Sequence, residues 1–249
     1  MKFIIANWKC NPSSFKEARE LWDAVNNELG DLNDTNIIIC PPFVFSLELK
    51  REKSELKLGA QNCFWQQGAF TGEISAAMLY DIGSEYVLIG HSERERYFGE
   101  TNSLIEKKLI AVLDIGLIPI LCVGEGAESN NLQEIEKDLK KQLSVLKKIK
   151  SWSNAGFLIA YEPAWAIGSG KACDYGKAKE SHLFIQKEVE LIFNELNVKN
   201  QNIHYLYGGS VDSVNAADYF KAGYDGVLVG TSSLNPKEFN EIIGVIKRI

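Results

Sequence analysis

Eight times along the chain, a short apolar or β-branched run is followed by a longer stretch whose apolar residues recur with helical spacing. The short runs cover 2–8, 36–40, 57–61, 86–90, 117–122, 157–162, 203–208 and 226–229, and the helical stretches lie near 13–29, 43–53, 74–82, 102–115, 130–150, 175–196, 212–221 and 236–247. Strict strand-helix alternation implies a parallel sheet, because a strand reaches a parallel neighbour only through a crossover, which a helix supplies. Eight such units in 249 residues match a closed α/β barrel of the (β/α)8 type. No Pro/Gly/Ser-rich linker or composition break divides the chain, so residues 1–249 are expected to form a single domain. An open doubly wound sheet is the competing architecture. Its Gly-x-Gly-x-x-Gly fingerprint is missing: the nearest match, Gly124-Glu125-Gly126-Ala127-Glu128-Ser129, ends in serine.

Composition narrows the function classes. Hydrophobic residues make up 45% of the chain and charged residues 24%, the balance of a globular protein, and no apolar run approaches the roughly 20 residues of a membrane span. The apolar run Phe3-Ile4-Ile5-Ala6 is interrupted by Asn7, Lys9 and Asn11, too short for a signal-peptide core, and a cytoplasmic location is expected. A net charge of -6 leaves no broad basic footprint, so neither nucleic acid nor membrane is an expected partner, and a small anion needs a local positive site. The five cysteines contain no Cys-x-x-Cys pair, which argues against a disulfide framework or zinc ribbon. Without a His-Glu-x-x-His or Asp-rich calcium loop, no metal and no cofactor are expected. The lysines between 137 and 150 interleave with Leu139, Leu143, Leu146 and Ile149 at helical spacing, which reads as a solvated face of an amphipathic helix.

In a (β/α)8 barrel the C-terminal strand tips converge on one face, where chemistry gathers. The sixth run ends in Glu162, directly before Pro163-Ala164-Trp165, so an apolar strand delivers a carboxylate beside an extended, rigid step. A glycine-rich tip, Gly168-Ser169-Gly170-Lys171, follows; it is not a Walker motif and reads as a lid. Of the three histidines, His91 stands at a strand-to-helix junction, ahead of Ser92-Glu93-Arg94-Glu95, a capping-box pattern that predicts a helix start at Ser92. A helix N-terminus favours uncharged imidazole, and a neutral ring still donates a hydrogen bond. Asn7 and Lys9 end the first strand, and Gly208-Gly209-Ser210 and Gly230-Thr231 end the seventh and eighth, the usual phosphate position of this architecture.

Five segments together resemble the triosephosphate isomerase family, in the family's order: Asn7-Trp8-Lys9-Cys10-Asn11, Gly68-Ala69-Phe70-Thr71-Gly72-Glu73, Gly90-His91-Ser92-Glu93-Arg94, Tyr161-Glu162-Pro163-Ala164-Trp165-Ala166-Ile167-Gly168 and Tyr207-Gly208-Gly209-Ser210. The resemblance implies a TIM barrel that interconverts dihydroxyacetone phosphate and D-glyceraldehyde 3-phosphate through an enediol(ate), in glycolysis and gluconeogenesis, without a cofactor. It implies Glu162 as base, His91 as the group polarising the carbonyl, Lys9 and Asn7 as substrate ligands, and Gly168, Ser210, Gly230 and Thr231 as the phosphate cradle. Glu93 is implied to pair with Lys9. The loop from Phe64 to Glu73 is implied to dock near Asn7, Lys9 and Cys10 of a second subunit, with Thr71 reaching that subunit's site in a homodimer. Three positions depart from the family pattern: Glu95 replaces an arginine, Thr231 a glycine, and Cys10 a common methionine. A different sugar-phosphate barrel enzyme and a non-catalytic phosphate binder are the alternatives; the first needs other groups at strands one, four and six, the second the loss of Glu162 or His91.

Overall fold

The computed structural model describes residues 1–32, 34–50, 54–126, 131–150, 152, 156–166, 172–198 and 202–249. Within them eight strands run β1 (Lys2–Asn7), β2 (Thr35–Cys40), β3 (Lys57–Ala60), β4 (Tyr86–Ile89), β5 (Ile118–Val123), β6 (Phe157–Tyr161), β7 (Ile203–Tyr207) and β8 (Gly226–Val229). Each pairs in parallel with the next, and β8 closes on β1 with Ile5 opposite Leu228.

The period of two along each strand sorts its side chains between two cores. Phe3, Ile5, Ile38, Leu88, Ile120, Leu158, Leu206 and Leu228 fill the barrel interior. Ile4, Ala6, Ile37, Ile39, Val87, Leu121 and Ile159 pack outward under the helices. Both faces are buried, so the strands carry near-continuous apolar runs instead of alternating with polar residues. Continuing the interior alternation by one step past Ile5, Leu88, Cys122, Ala160, Leu206 and Leu228 reaches Asn7, Gly90, Gly124, Glu162, Gly208 and Gly230. Four of those six positions are glycine, so the barrel's packed layers stop below a cup with an amide and a carboxylate among its walls.

The helices are α1 (Phe15–Asn26), α2 (Phe43–Lys50), α3 (Ala76–Asp81), α4 (Ser92–Phe98), α5 (Asn102–Asp114), α6 (Leu132–Leu143), α7 (Tyr175–Leu196), α8 (Ala216–Lys221) and α9 (Pro236–Lys247). Two of them, α4 and α5, follow β4: α4 starts at Ser92, as the Ser92–Glu95 pattern predicts, and α5 falls within the 102–115 stretch; Gly99 ends α4 at φ 65, a left-handed conformation that glycine adopts without strain. The helix expected over 13–29 begins only at Phe15, because Ser14 is its N-cap and accepts from the Glu17 N–H. Ser75 likewise moves the start of the 74–82 helix to Ala76. The 212–221 helix starts at Ala216, since the Asp212 side chain first holds the N–H groups of Val214 and Asn215 in a turn. The 130–150 stretch is α6 followed by a 3₁₀ turn, Ser144–Lys148, and residues 51–53 and 130 of the expected helices lie outside the described residues. On α6 the buried stripe is Ile135, Leu139 and Leu143. Each such side chain contributes roughly 1.5–3 kcal/mol when fully buried.

Candidate active site

Glu162 follows β6 and is buried, at 3% exposure, at the barrel mouth. Its backbone is fixed from β5 by Glu162 N–H donating to Val123 O at 2.7 Å and Ala164 N–H donating to Glu125 O at 2.9 Å. Two glycines make room for it. A Cβ on Gly124 would stand 1.9 Å from the Glu162 carbonyl oxygen, and a Cβ on Gly208 2.7 Å from Glu162 Cγ. The Oε2 atom of Glu162 has no hydrogen-bond partner. Burial raises the carboxyl above the ordinary glutamate range; neighbouring His91, the adjacent Cys122 thiol and Lys9 oppose that shift without cancelling it.

His91 reaches the same mouth because Gly90, at φ 75, turns the chain out of the strand alternation. The expected capping box does not form with Ser92 as cap: His91 itself is the N-cap of α4, and its Nδ1 accepts from the Glu93 N–H at 3.2 Å. An imidazole nitrogen that accepts from a backbone amide carries no proton, so in the neutral ring the proton sits on Nε2. That atom lies 3.5 Å from Glu162 Oε1.

From β1, Asn7 accepts from the Lys9 N–H at 3.0 Å, and Lys9 itself sits at φ 53. This left-handed step is costly for a lysine and redirects its side chain across the mouth, where Nζ donates to Glu93 Oε1 at 2.7 Å. Gln61 ties the Lys9 and Cys40 carbonyls together with 2.8 Å bonds to each. A cavity of about 340 Å³ is bounded by Asn7, Lys9, His91 and Glu162 on one side and by Gly209, Ser210, Gly230 and Thr231 on the other. Gly230 faces Lys9, since a Cβ there would stand 3.5 Å from Lys9 Cε. Thr231 opens a 3₁₀ turn, Thr231–Leu234, whose first N–H groups have no partner within the turn. Its φ is outside the left-handed region, so a threonine in place of glycine meets no backbone strain. Ser210 Oγ donates to Ala166 O at 2.6 Å.

The fold thus gathers Asn7, Lys9, His91, Glu93, Glu162, Ser210, Gly230 and Thr231 around one mouth. Gly168 and the remaining expected lid tip through Lys171 lie outside the described residues. Thr71 is exposed, in a loop closed by Phe64 N–H to Ile74 O at 2.7 Å. Glu95 is half-buried and its carboxyl is raised by burial first, then by the Glu100 charge. A residue without a sequence signal also lies beside the site. Buried Glu125 accepts from Tyr161 Oη at 3.0 and 3.1 Å and from Trp165 Nε1 at 2.8 Å, bracketing Glu162 on both sides along the chain. Burial raises its own carboxyl, against the hydrogen bonds from Trp165 and Tyr161. The alternation of interior residues pointed to Gly208; nothing local pointed to Glu125.

The arrangement brings a buried carboxylate, an imidazole Nε2, an ammonium and the Gly209–Ser210 and Gly230–Thr231 backbone around one small cavity, the kinds of group that can move a proton next to a carbonyl in a phosphorylated substrate. A model of the triosephosphate isomerase family matches residues 2–246. A triosephosphate isomerase of Aquifex aeolicus (strain VF5) is 40% identical over 247 residues, covering 97% of this chain and 98% of that protein. The one of Chloroherpeton thalassium (strain ATCC 35110 / GB-78) is 41% identical over 248 residues and 97% of each chain. That of Francisella philomiragia subsp. philomiragia is 39% identical over 252 residues, covering 100% of this chain and 98% of its own.

Proposed function

The chain belongs to the triosephosphate isomerase family, and from that premise we propose how its residues interconvert dihydroxyacetone phosphate and D-glyceraldehyde 3-phosphate. The reaction is an isomerisation, so electrons are rearranged within the substrate and no external redox partner enters.

Glu162 removes a proton from the carbon next to the carbonyl. The C–H electron pair becomes the C=C bond of an enediol, and the former carbonyl oxygen takes up negative charge. His91 stabilises that oxygen with its Nε2–H and transfers protons between the two oxygens, the carboxylate-base and neutral-imidazole pairing for which this family is the standard example. Return of the proton from Glu162 to the neighbouring carbon completes the change. A raised carboxyl pKa serves both halves, because the group must take a proton and then give it back. Lys9 places positive charge beside the developing anion, with Glu93 holding the ammonium, and Asn7 hydrogen-bonds the substrate. Ser210, Gly230, Thr231 and, outside the described residues, Gly168 hold the phosphate. Keeping water from the enediol matters because its phosphate is a leaving group.

The observation that carries this reading is the meeting, in one cavity, of buried Glu162 with a His91 whose Nδ1 is occupied by the Glu93 amide. The test is incubation with dihydroxyacetone phosphate in heavy water, with no added metal or cofactor. Aldehyde product carrying deuterium at the transferred carbon is expected; neither product nor exchange would sink the assignment.

We also read the protein as a cytoplasmic homodimer. No helix among the described residues is long and apolar enough to cross a membrane. Phe43, Val44, Leu47, Met78, Tyr97 and Phe98 are exposed, and a cavity of about 360 Å³ lies among Lys9, Cys10, Gln61, Glu93 and Phe98. The Phe64–Glu73 loop is held by Phe64 stacked on Trp65 at 3.9 Å and tilted against Phe70 at 4.6 Å; its Gly72 and Glu73 also line that cavity, and its exposed Thr71 is read as reaching the corresponding cavity of a second copy. Sedimentation equilibrium tests this; a monomer at micromolar concentration would remove it.

A further inference from the structure

β4 stops short of β5. Its pairing ends at Ile89 opposite Leu121, because Gly90 turns the chain toward α4, while β5 and its extension continue beside β6 to Glu125. In a parallel ladder, successive residues direct their N–H and C=O groups to alternate neighbours. Val123 O and Glu125 O accept from β6-side amides at Glu162 and Ala164, so the polar groups of Gly124 point the other way, to the side where β4 is missing. The Gln142 side chain, from the last turn of α6, takes that place: Oε1 accepts from Gly124 N–H at 2.8 Å and Nε2 donates to Gly124 O at 3.0 Å. One primary amide thus substitutes for the absent strand. On its other face Gly124 lies so close to the Glu162–Pro163 peptide that a Cβ would stand 1.9 Å from Glu162 O, 2.4 Å from Glu162 C and 3.1 Å from Pro163 N.

We propose that Gln142 is a positioning residue for the base: by clamping Gly124 it fixes the backbone against which Glu162 is seated. The proposal rests on Glu162 being the base. Gln142 touches no reacting atom in this scheme; its effect runs through the Gly124 peptide. Without the clamp two backbone groups lose their partners, water is their nearest substitute, and Gly124 no longer defines one position for the Glu162 carbonyl. Displacing a catalytic group by about 1 Å costs on the order of 10²-fold in rate.

The test uses Gln142→Met, which keeps length but removes both hydrogen bonds, and Gln142→Glu, which keeps an acceptor for the Gly124 amide and loses the donor to its carbonyl. In the full-length protein, Gln142→Met is expected to lower kcat ten- to hundredfold with KM for dihydroxyacetone phosphate within threefold, inhibition by inorganic phosphate unchanged, and the acid limb of the kcat/KM pH profile displaced. Gln142→Glu is expected to fall between it and the parent. Hydrogen exchange on the unsubstituted protein adds a test that does not depend on a variant folding: the Gly124 amide is expected to be protected as strongly as the Glu162 amide. Turnover within twofold of the parent in both folded variants, or a Gly124 amide exchanging like an open loop, overturns the proposal. The parent protein run alongside separates the two readings, since its failure to turn over would remove the base itself, and normal parent turnover with insensitive variants would remove only Gln142.

Discussion

Replacing Gly208 by alanine isolates the packing around the carboxylate. Gly208 is outside the left-handed region, so alanine meets no backbone penalty there, and the perturbation is one methyl group. That methyl would stand 2.7 Å from Glu162 Cγ, 3.1 Å from Oε1 and 3.4 Å from Cδ. Carbon atoms in contact prefer about 3.5–4.0 Å, so the overlap with Cγ is roughly 1 Å. The backbone on either side resists moving: Gly208 N–H donates to Tyr161 O at 2.8 Å, Glu162 N–H donates to Val123 O at 2.7 Å, and Gly124 backs the Glu162 peptide. The side chain is the softer element, and turning it off its rotamer costs about 0.5–1.5 kcal/mol. Overpacking as a whole then destabilises the fold by roughly 1–3 kcal/mol. A base moved by about 1 Å loses on the order of 10²-fold in turnover. The expected result for Gly208→Ala is therefore a folded protein with kcat down about a hundredfold, read in a coupled assay of dihydroxyacetone phosphate conversion beside a urea unfolding curve. Near-parental turnover in a folded Gly208→Ala protein would refute the seating of Glu162 between Gly208 and Gly124.

Three further outcomes follow from the same geometry. Glu162→Gln is expected to abolish most turnover and to stabilise the fold at neutral pH: burial raises the carboxyl, so the native state binds more protons than the unfolded one above the ordinary glutamate range, and stability falls as pH rises through that window. The gain, read as a shift in Tm, should vanish below pH of about 4, where the unfolded carboxyl is also protonated, and no gain at pH 7 would contradict the burial cost. Cys10 is exposed and the other four cysteines are buried, with burial raising the Cys63 thiol to about 12; thiol reagents are expected to label one site quickly and to inactivate or dissociate the protein, and inactivation undiminished in Cys10→Ser would defeat this. Buried Lys108 donates to Glu100 and to Asn62 Oδ1 at 2.7 Å, while Arg94 Nε holds Glu100 from the other side at 2.9 Å; Lys108→Met is expected to cost about 3–5 kcal/mol in urea unfolding, and a loss under about 1 kcal/mol would argue that Arg94 alone satisfies the carboxylate.

Much of the site was legible because barrel topology converts strand ends into neighbours. Asn7, Glu162 and Gly230 needed only the alternation along β1, β6 and β8 to be placed at the mouth. His91 was legible as a residue at a strand end, and Ser92-Glu93-Arg94-Glu95 rightly marked the start of α4 at Ser92; what the pattern left out is that the imidazole itself, past the turn at Gly90, caps the helix. The side of Gly124 left without a strand partner, which Gln142 fills, was invisible in sequence, because it arises from β4 pairing ending two residues before the end of β5.

By itself the sequence determined the eightfold alternation, the doubly buried strands and the residues delivered to the strand tips. These follow from periodicity and backbone preference, which act between near neighbours in the chain. Tertiary structure alone decided which nitrogen of His91 carries its proton, which atoms flank Glu162, and which distant groups hold them: Trp165 meets Glu125 across 40 positions, and Gln142 meets Gly124 across 18. Such contacts are set by ångström-scale packing where strands end and the ladder leaves polar groups open, and no local pattern encodes which side chain fills the gap.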